Sequence, residues 1–201
     1  MDLNSLIDHT LLKPTATKAE ILKLCREAKK FEFWSVCVNP MWVKLAKQQG
    51  VRVCSVVGFP LGANTLVIKV AEIKQAIKDG VDELDVVINR VRDMKKEVKA
   101  VVAAAQGRIV KIIIETCYLT RPEKILAAKL VKESGADFVK TSTGFGPSGA
   151  TVEDIKLLRK VVGPDFGVKA SGGIKTKDQA LALVKAGANR LGTSSGVEIC
   201  R

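Results

Sequence analysis

The sequence contains a single histidine, His9, among its 201 residues. Zinc sites in enzymes usually take two or three imidazole ligands, so a histidine-rich metal centre is excluded. The chain also lacks the P-loop pattern, the glycine pattern of dinucleotide-binding folds and the G-x-S-x-G pattern of serine hydrolases. We therefore expect neither a metal ion nor another cofactor.

Aromatic residues are scarce as well, at 4% of the chain with one tyrosine. Lysine and arginine number 33 and aspartate and glutamate 21, which gives a net charge of +12. Such a charge favours an anionic partner, which could be a nucleic acid, an acidic membrane or a small phosphorylated molecule. Proteins that bind single-stranded nucleic acids usually place aromatic side chains among the basic ones. The composition therefore favours a phosphorylated metabolite, and we expect no nucleic acid as partner.

The chain has no apolar run of the roughly 18 residues that a membrane span needs, and its first residues lack the pattern of a signal peptide. Its five cysteines are odd in number, include no C-x-x-C pair and lie in apolar surroundings, which is typical of free buried thiols. We expect no membrane partner and a location in the reducing cytoplasm.

Short β-branched segments alternate with longer segments of helical period. Seven segments have the composition of strands, at 35–39, 51–58, 83–89, 109–116, 138–143, 167–172 and 190–196, and an eighth candidate at 6–12 alternates apolar and polar residues. Alternating strands and helices predict a parallel sheet, and eight such units would close into a (β/α)8 TIM barrel. The length lies at the lower edge of the range for that fold, about 200 to 400 residues. We expect one compact α/β domain over residues 1–201.

The predicted helices have clear start signals. Three pairs have the capping-box spacing, and a fourth site places proline directly after a residue suited to cap a helix. These are Thr17 with Glu20, Thr120 with Glu123, Thr176 with Gln179, and Asn39 before Pro40.

Charged residues interrupt several of the predicted strands. The strands of a closed parallel barrel are covered on both faces, so a charge within one needs a reason. Lys140, Lys169 and Asp85 each lie in a different strand, and Lys111 and Glu115 flank the apolar run of another. A single strand lysine usually lies at a strand end or extends towards solvent. Two lysines followed by small residues, with an aspartate on a third strand, instead favour a site at the carboxyl ends of the strands.

Two neighbouring lysines suit Schiff-base chemistry. An ordinary lysine, with a pKa near 10.4, is neutral in about one molecule in 2,500 at pH 7, so a nucleophilic amine needs a pKa lower by roughly 3, worth about 4 kcal/mol. Burial and a second ammonium group both favour the neutral amine. Asp85 could then transfer protons and orient a water molecule.

Segments that contain glycine follow three of the predicted strands and suggest a phosphate site. Gly172 and Gly173 precede the helix that is capped near Thr176, while Thr143-Gly144 and Ser194-Ser195-Gly196 follow two other strands. Glycine lets backbone N–H groups approach an anion, and TIM barrels commonly hold phosphate after the seventh and eighth strands. For any one of these segments turn formation is the preferred explanation, and only the two loops together support a phosphate site equally well.

At these residues the sequence resembles the deoxyribose-phosphate aldolase family, whose members are class I aldolases with a TIM-barrel fold. The resemblance covers nearly the whole chain, in the segments 7–17, 35–40, 53–65, 82–89, 111–120, 137–145, 149–155, 168–175 and 190–196. It implies reversible cleavage of 2-deoxy-D-ribose 5-phosphate to D-glyceraldehyde 3-phosphate and acetaldehyde, without a metal ion. It also implies assembly as a dimer or a higher homo-oligomer.

The same resemblance implies a role for each site residue. Lys140 would form the Schiff base, Lys169 would favour its neutral amine, and Asp85 would donate and accept protons. The phosphate would be held by Gly144, Gly172, Gly173, Ser194 and Ser195. Asp8 and Thr10 would lie at the mouth of the barrel as supporting polar groups, and Cys37 would line the pocket. His9, on the opposite face of its strand, would only pack behind it.

The sequence departs from the family after Asn89, where it is several residues shorter, and it stops soon after the last phosphate motif, which predicts that the closing helix is missing. A second interpretation is therefore a barrel that binds the sugar phosphate without turnover, because the shorter segment misplaces Asp85. A third is nucleic-acid binding driven by the net charge, which would require a strongly salt-dependent affinity.

Overall fold

The computed structural model describes residues 2–89 and 93–201, and within them strands and helices alternate along the chain. The strands are β1 (Ile7–Leu11), β2 (Ser35–Val38), β3 (Val53–Val57), β4 (Glu83–Val87), β5 (Ile109–Ile113), β6 (Phe138–Lys140), β7 (Gly167–Ser171) and β8 (Arg190–Thr193). The helices are α1 (Lys18–Lys30), α2 (Val43–Lys47), α3 (Leu66–Lys78), α4 (Met94–Ala104), α5 (Arg121–Glu133), α6 (Val152–Val162), α7 (Lys177–Lys185) and α8 (Gly196–Ile199).

Each strand pairs in parallel with the next, and β8 returns to pair with β1, so the sheet closes into a barrel. The predicted (β/α)8 fold is confirmed, including the eighth candidate strand at 6–12, which forms β1. Strands of three to five residues are long enough to close the ring. The short chain is therefore compatible with a complete barrel.

The predicted helix starts are largely confirmed. All three capping boxes form, at the first residues of α1, α5 and α7. After Asn39 the chain instead enters a short 3-10 turn, Pro40–Trp42, and the Asn39 side chain forms no capping hydrogen bond. The residue pattern thus located this start but not the type of helix.

The apolar core lies between the sheet and the surrounding helices. It consists of outward-facing strand residues packed on the inner faces of the helices, and includes Ile7, Val36, Leu84, Ile112, Val139, Ala170 and Leu191 from strands and Ile21, Ile73, Val98, Ala128, Ile155 and Leu183 from helices. His9 belongs to this outer layer, as predicted. Its ring packs on Phe33 with centroids 5.0 Å apart, and its Nε2 lies 3.0 Å from Glu27 Oε2.

Two expectations concern the connections at the end of the barrel. The closing helix was expected to be missing, but α8 is present and covers Gly196–Ile199. The shortening after Asn89 falls on residues 90–92, which lie outside the described residues. Among the residues that are described, no helix is long and apolar enough to cross a membrane.

Candidate active site

The inside of the barrel contains a cluster of buried charged side chains. Successive strand residues face opposite sides of a sheet, so a charge at every second position of a strand points into the barrel. Seven such side chains are buried there, and six of the eight strands supply them. They are Asp8, Glu83, Asp85, Lys111, Lys140, Lys169 and Arg190. Buried charges persist only when they are paired, and these are paired with one another.

Asp85 on β4 is the centre of the cluster. Its Oδ2 accepts hydrogen bonds from Lys140 Nζ and Lys169 Nζ, each at 2.7 Å, and its Oδ1 accepts one from Lys111 Nζ at 2.9 Å. The Nζ atoms of Lys140 and Lys169 both contact Oδ2, so they lie no more than twice 2.7 Å apart. Of the three predicted catalytic residues, the structure places both lysines in direct contact with Asp85.

The lysines determine the protonation state of Asp85. Burial alone would raise the pKa of this carboxyl, but the charges of Lys111, Lys140 and Lys169 outweigh it and hold the pKa well below 3.8. Burial alone would lower the pKa of Lys169, but Asp8 and Asp85 raise it above 10.5. Near neutral pH the site therefore holds an ionised carboxylate and a fixed ammonium group directly beside Lys140.

Asp8 lies deeper in the barrel than the sequence predicted. It is fully buried and accepts hydrogen bonds from Lys169 Nζ, Ser35 Oγ at 2.7 Å and Arg190 Nη1 at 3.0 Å. The prediction that it lies at the mouth is wrong, because the inward-facing position nearer the mouth on β1 is that of Thr10. Asp8 instead supports Lys169 from below.

Three charged residues of the cluster were not predicted as site residues. Lys111 Nζ lies 2.6 Å from Glu83 Oε2, and Arg190 Nη1 lies 2.9 Å from the same oxygen. Lys111 is the register partner of Asp85 on the neighbouring strand. Extending the two-residue alternation to Lys111 would have placed it inside the barrel, so the signal was present in the sequence.

A cavity of about 400 Å³ opens at the carboxyl ends of the strands, above the cluster. Of the seven clustered side chains, within the part of the chain that the structure describes, only Lys140 belongs to the cavity wall. Thr10 also lines it, while Lys169 and Asp85 are screened below. Of the clustered charged residues, Lys140 is therefore the one that a substrate in the cavity can contact.

One side of this cavity is rich in backbone N–H groups. Gly144, Gly172, Gly173 and Ser194 line it, and the three glycines have φ between 78° and 85°. These positive φ values favour glycine, and such turns expose backbone N–H groups to an anion. Ser195 is not part of the wall, and its N–H donates to Thr193 Oγ1 at 2.9 Å. Two exposed lysines that were not predicted, Lys13 and Lys175, complete this side.

Cys37 does not line the cavity, contrary to prediction. It is buried against Cys54 and Val56, and the partly buried Leu12 and Phe59 pack on this group. Cys54 Sγ donates to Asp85 Oδ1 at 3.1 Å. Ligand atoms of Cys37, Cys54 and Asp85 lie within 4.8 Å of one another. Among residues 2–89 and 93–201, these three side chains are the group that is close enough to share a metal ion. That the reaction needs none remains a prediction.

Glu115, noted in the sequence only as a charge beside a strand, holds the cavity wall in place. It has a positive φ of 53°, which is uncommon outside glycine, and its side chain is buried. Its carboxylate accepts hydrogen bonds from the backbone N–H and the hydroxyl of Thr143, a wall residue. The loop that carries Gly144 is therefore fixed by an acidic side chain from the preceding loop.

The charged cluster predicts a specific dependence of stability on pH. Asp8 and Asp85 have pKa values held below 3.8, so their contribution to stability is complete above about pH 4 and is lost as the pH falls below that value. Lys111 and Lys169 have pKa values raised above 10.5, so their contribution is complete below about pH 10 and is lost as the pH rises further. We expect a free energy of unfolding that changes little between pH 5 and 10 and declines on both sides, as measured by urea denaturation. A steep decline between pH 6 and 8 would contradict this charge assignment.

Comparisons with known proteins agree with this geometry. A family model described as DeoC/LacD family aldolase matches residues 4–201. The deoxyribose-phosphate aldolase of Thermococcus gammatolerans is 58% identical over 214 residues, which cover 99% of this chain and 95% of that protein. The structure of QR15, an aldolase, is similar with a TM-score of 0.95 and 39% identity, covering 100% of this chain and 95% of that one. The tetrameric deoxyribose phosphate aldolase from Aeropyrum pernix has a TM-score of 0.93 at 37% identity, covering 98% and 89%.

Proposed function

The chain belongs to the DeoC/LacD family of aldolases, and we propose that Lys140 is the amine that forms its Schiff base. The reaction is the reversible cleavage of 2-deoxy-D-ribose 5-phosphate to D-glyceraldehyde 3-phosphate and acetaldehyde. The observation that carries the assignment of Lys140 is its position, because it alone among the clustered charges reaches the cavity wall. Its Nζ also contacts the carboxylate that can exchange protons with it.

The balance of charge inside the barrel supports Lys140 as the nucleophile. The cluster holds four basic groups against three carboxylates, so one ammonium is in surplus. Lys111, Lys169 and Arg190 have pKa values raised by the acids around them, despite burial that acts in the opposite direction. Lys140 is therefore the member of the cluster best suited to act as a nucleophile.

The proposed steps use the groups around Lys140. Its amine attacks C1 of the open-chain sugar phosphate, and loss of water gives a protonated imine that withdraws electrons. The C2–C3 bond breaks as Asp85 accepts the C3 hydroxyl proton through a water molecule, which releases glyceraldehyde 3-phosphate. The resulting enamine takes the same proton back from Asp85 at C2, and water then hydrolyses the imine, which frees acetaldehyde and restores the amine. Lys169 stays charged throughout, because Asp8 and Asp85 raise its pKa above 10.5.

The direct test of turnover is the release of both products. Incubation with 2-deoxy-D-ribose 5-phosphate, with acetaldehyde and glyceraldehyde 3-phosphate measured by separate NADH-coupled enzymes, should give equal amounts of the two. A chain that binds the sugar phosphate but releases no acetaldehyde would support the alternative of a barrel that binds without turnover. In the described residues Asp85 contacts both catalytic lysines, which favours the active enzyme.

We assign the substrate phosphate to the N–H groups of Gly144, Gly172, Gly173 and Ser194, with the charge of Lys175 beside them. Replacing Lys175 by methionine should lower kcat/KM for the phosphorylated sugar about tenfold, because an exposed charge-assisted contact is lost. The activity with unphosphorylated 2-deoxyribose should change less than twofold. Lys177→Met is the matched control, since Lys177 is exposed on the same segment but does not line the cavity. Equal losses with both sugars would contradict the assignment.

We also propose that the chain forms a homo-oligomer in the cytoplasm. The oligomer is supported by the tetrameric relative from Aeropyrum pernix and by the exposed apolar side chains Met41, Leu61 and Val67. The cytoplasmic location is supported by the five cysteines, which are all free thiols. Light scattering after gel filtration should show a dimer or a larger assembly, and a monomer at micromolar concentration would refute the first proposal. The absence of a nucleic-acid partner remains a prediction.

A further inference from the structure

We propose that the buried ion pair between Lys69 on α3 and Glu97 on α4 is a positioning device for Asp85. The inference rests on the proposed function, because it assumes that Asp85 acts in the reaction. It concerns two helical residues that lie outside the barrel and do not contact the cavity.

Lys69 is fully buried and uses its whole ammonium group. Its Nζ donates to Gly62 O and Val87 O, each at 2.8 Å, and to Glu97 Oε1. An ammonium group has three N–H bonds, so each has one acceptor. One side chain thereby joins the loop before α3, the end of β4 and the helix α4.

Glu97 extends this connection to the start of the β4–α4 segment. Its carboxylate lies 3.2 Å from the backbone N of Asn89, which donates to it, and it also accepts the bond from Lys69. Val87 and Asn89 follow Asp85 by two and four residues in the chain. The two backbone groups held by the pair are therefore directly beyond the catalytic carboxylate.

The residues around Lys69 indicate that its ammonium group has a role other than filling the space between the helices. The neighbouring inward positions of the same two helices are apolar, with Ile73 and Ala76 on α3 and Val98 and Val101 on α4. Burying an ammonium group among apolar residues destabilises the fold unless the group is paired and hydrogen-bonded. We infer that the hydrogen bonds of Lys69 provide a function that an apolar side chain cannot. The chain also makes room for the lysine stem, since a Cβ on Gly58 would lie 2.8 Å from Lys69 Cε.

The Lys69–Glu97 pair can hold the end of β4 in a fixed position, because it binds backbone groups of Val87 and Asn89. Asp85 contacts Lys140, Lys169 and Lys111 at 2.7 to 2.9 Å, distances that leave little tolerance. A misplacement of about 1 Å at a catalytic group can cost on the order of a hundredfold in rate. Loss of the bond to Val87 O would let the strand end move, and with it Asp85. The phosphate-binding side, which follows β6, β7 and β8, would not be affected.

The test compares Lys69→Met with Lys124→Met. Lys124 Nζ forms a similar partly buried pair with Asp154 Oδ1 at 2.6 Å, which joins α5 to α6 away from β4. Both variants lose the lysine of an inter-helix pair, which is fully buried for Lys69 and partly buried for Lys124. For each we would measure the unfolding temperature, kcat and KM, and the fraction of chains trapped at Lys140 by acetaldehyde and borohydride.

For Lys69→Met we expect kcat per trappable site to fall about 10- to 100-fold with KM changed less than threefold. For Lys124→Met we expect a lower unfolding temperature with kcat unchanged. Equal kcat values per trappable site in Lys69→Met and the wild type would overturn the inference. If the wild type itself is not trapped at Lys140, the proposed function fails instead, so the two failures are distinguishable.

A double variant keeps the test valid if Lys69→Met folds poorly. Lys69→Met with Glu97→Met removes both charges, and such replacement is often tolerated where removal of one partner is not. We expect the double variant to recover unfolding temperature but not kcat, because the bonds to Val87 O and the Asn89 N–H stay absent. Recovery of kcat together with stability would show a structural pair only and would overturn the inference.

Discussion

Replacing Lys140 by methionine should abolish turnover without lowering stability. The variant has no amine to form the imine, so kcat should fall by about 10⁴-fold or more. Lys140 is also the surplus cation of the barrel interior, so its removal leaves balanced buried charges. We therefore expect an unfolding temperature at or above that of the wild type, measured by circular dichroism beside the coupled assay.

Two controls make this result specific. The Lys140→Met variant should still bind inorganic phosphate, because the glycines that form that side of the cavity are unchanged. Lys111→Met, which removes a neighbouring lysine that does not reach the cavity wall, should remain trappable by acetaldehyde and borohydride. Substantial residual turnover in Lys140→Met would mean that another amine forms the imine.

Replacing Asp85 by asparagine should damage both activity and stability. Proton transfer by a positioned group contributes about 10²- to 10⁴-fold to rate, and we expect a loss in that range. The substitution also takes the shared partner from Lys111, Lys140 and Lys169, all of them buried. Removing one partner of a buried pair typically costs about 3 to 5 kcal/mol in the free energy of unfolding. Urea denaturation and the coupled assay measure the two effects separately.

A second substitution separates the two roles of Asp85. In Asp85→Asn with Lys111→Met three buried basic groups face two carboxylates, which restores the surplus of one found in the wild type, so part of the lost stability should return. Activity should not return, because no carboxylate is left beside Lys140. Recovery of activity in the double variant would show that Asp85 acts only by balancing charge.

The face on which each site residue lies could be predicted from the sequence, but its depth could not. Alternation along the strands placed Lys140, Lys169 and Asp85 on a common inner surface, and the structure joins them through one carboxylate. The same alternation placed Asp8 on that surface without showing that it lies below the mouth. Depth depends on how neighbouring strands are staggered around the barrel, and that stagger is a property of the closed sheet.

Residues that act through long-range pairing were also beyond sequence reasoning. Lys13 and Lys175 are ordinary exposed lysines until the loops around the cavity are in place. The sequence around Lys69 predicts only a helix. Its hydrogen-bond partners Gly62, Val87 and Glu97 come from three other segments, so their pairing depends on the folded chain. Local signals fared better, because a capping box involves residues only three apart. The extent of the domain over residues 1–201 remains a prediction.

The central claim, that Lys140 forms the Schiff base, can be tested in one measurement. Acetaldehyde and borohydride are added to the wild-type chain, and the labelled site is located by mass spectrometry of its peptides. We predict one ethyl group per chain, carried by Lys140, with Lys169 and Lys111 unlabelled because both are buried below the cavity wall. Absence of label on Lys140, or label of equal extent on Lys169, would contradict the account.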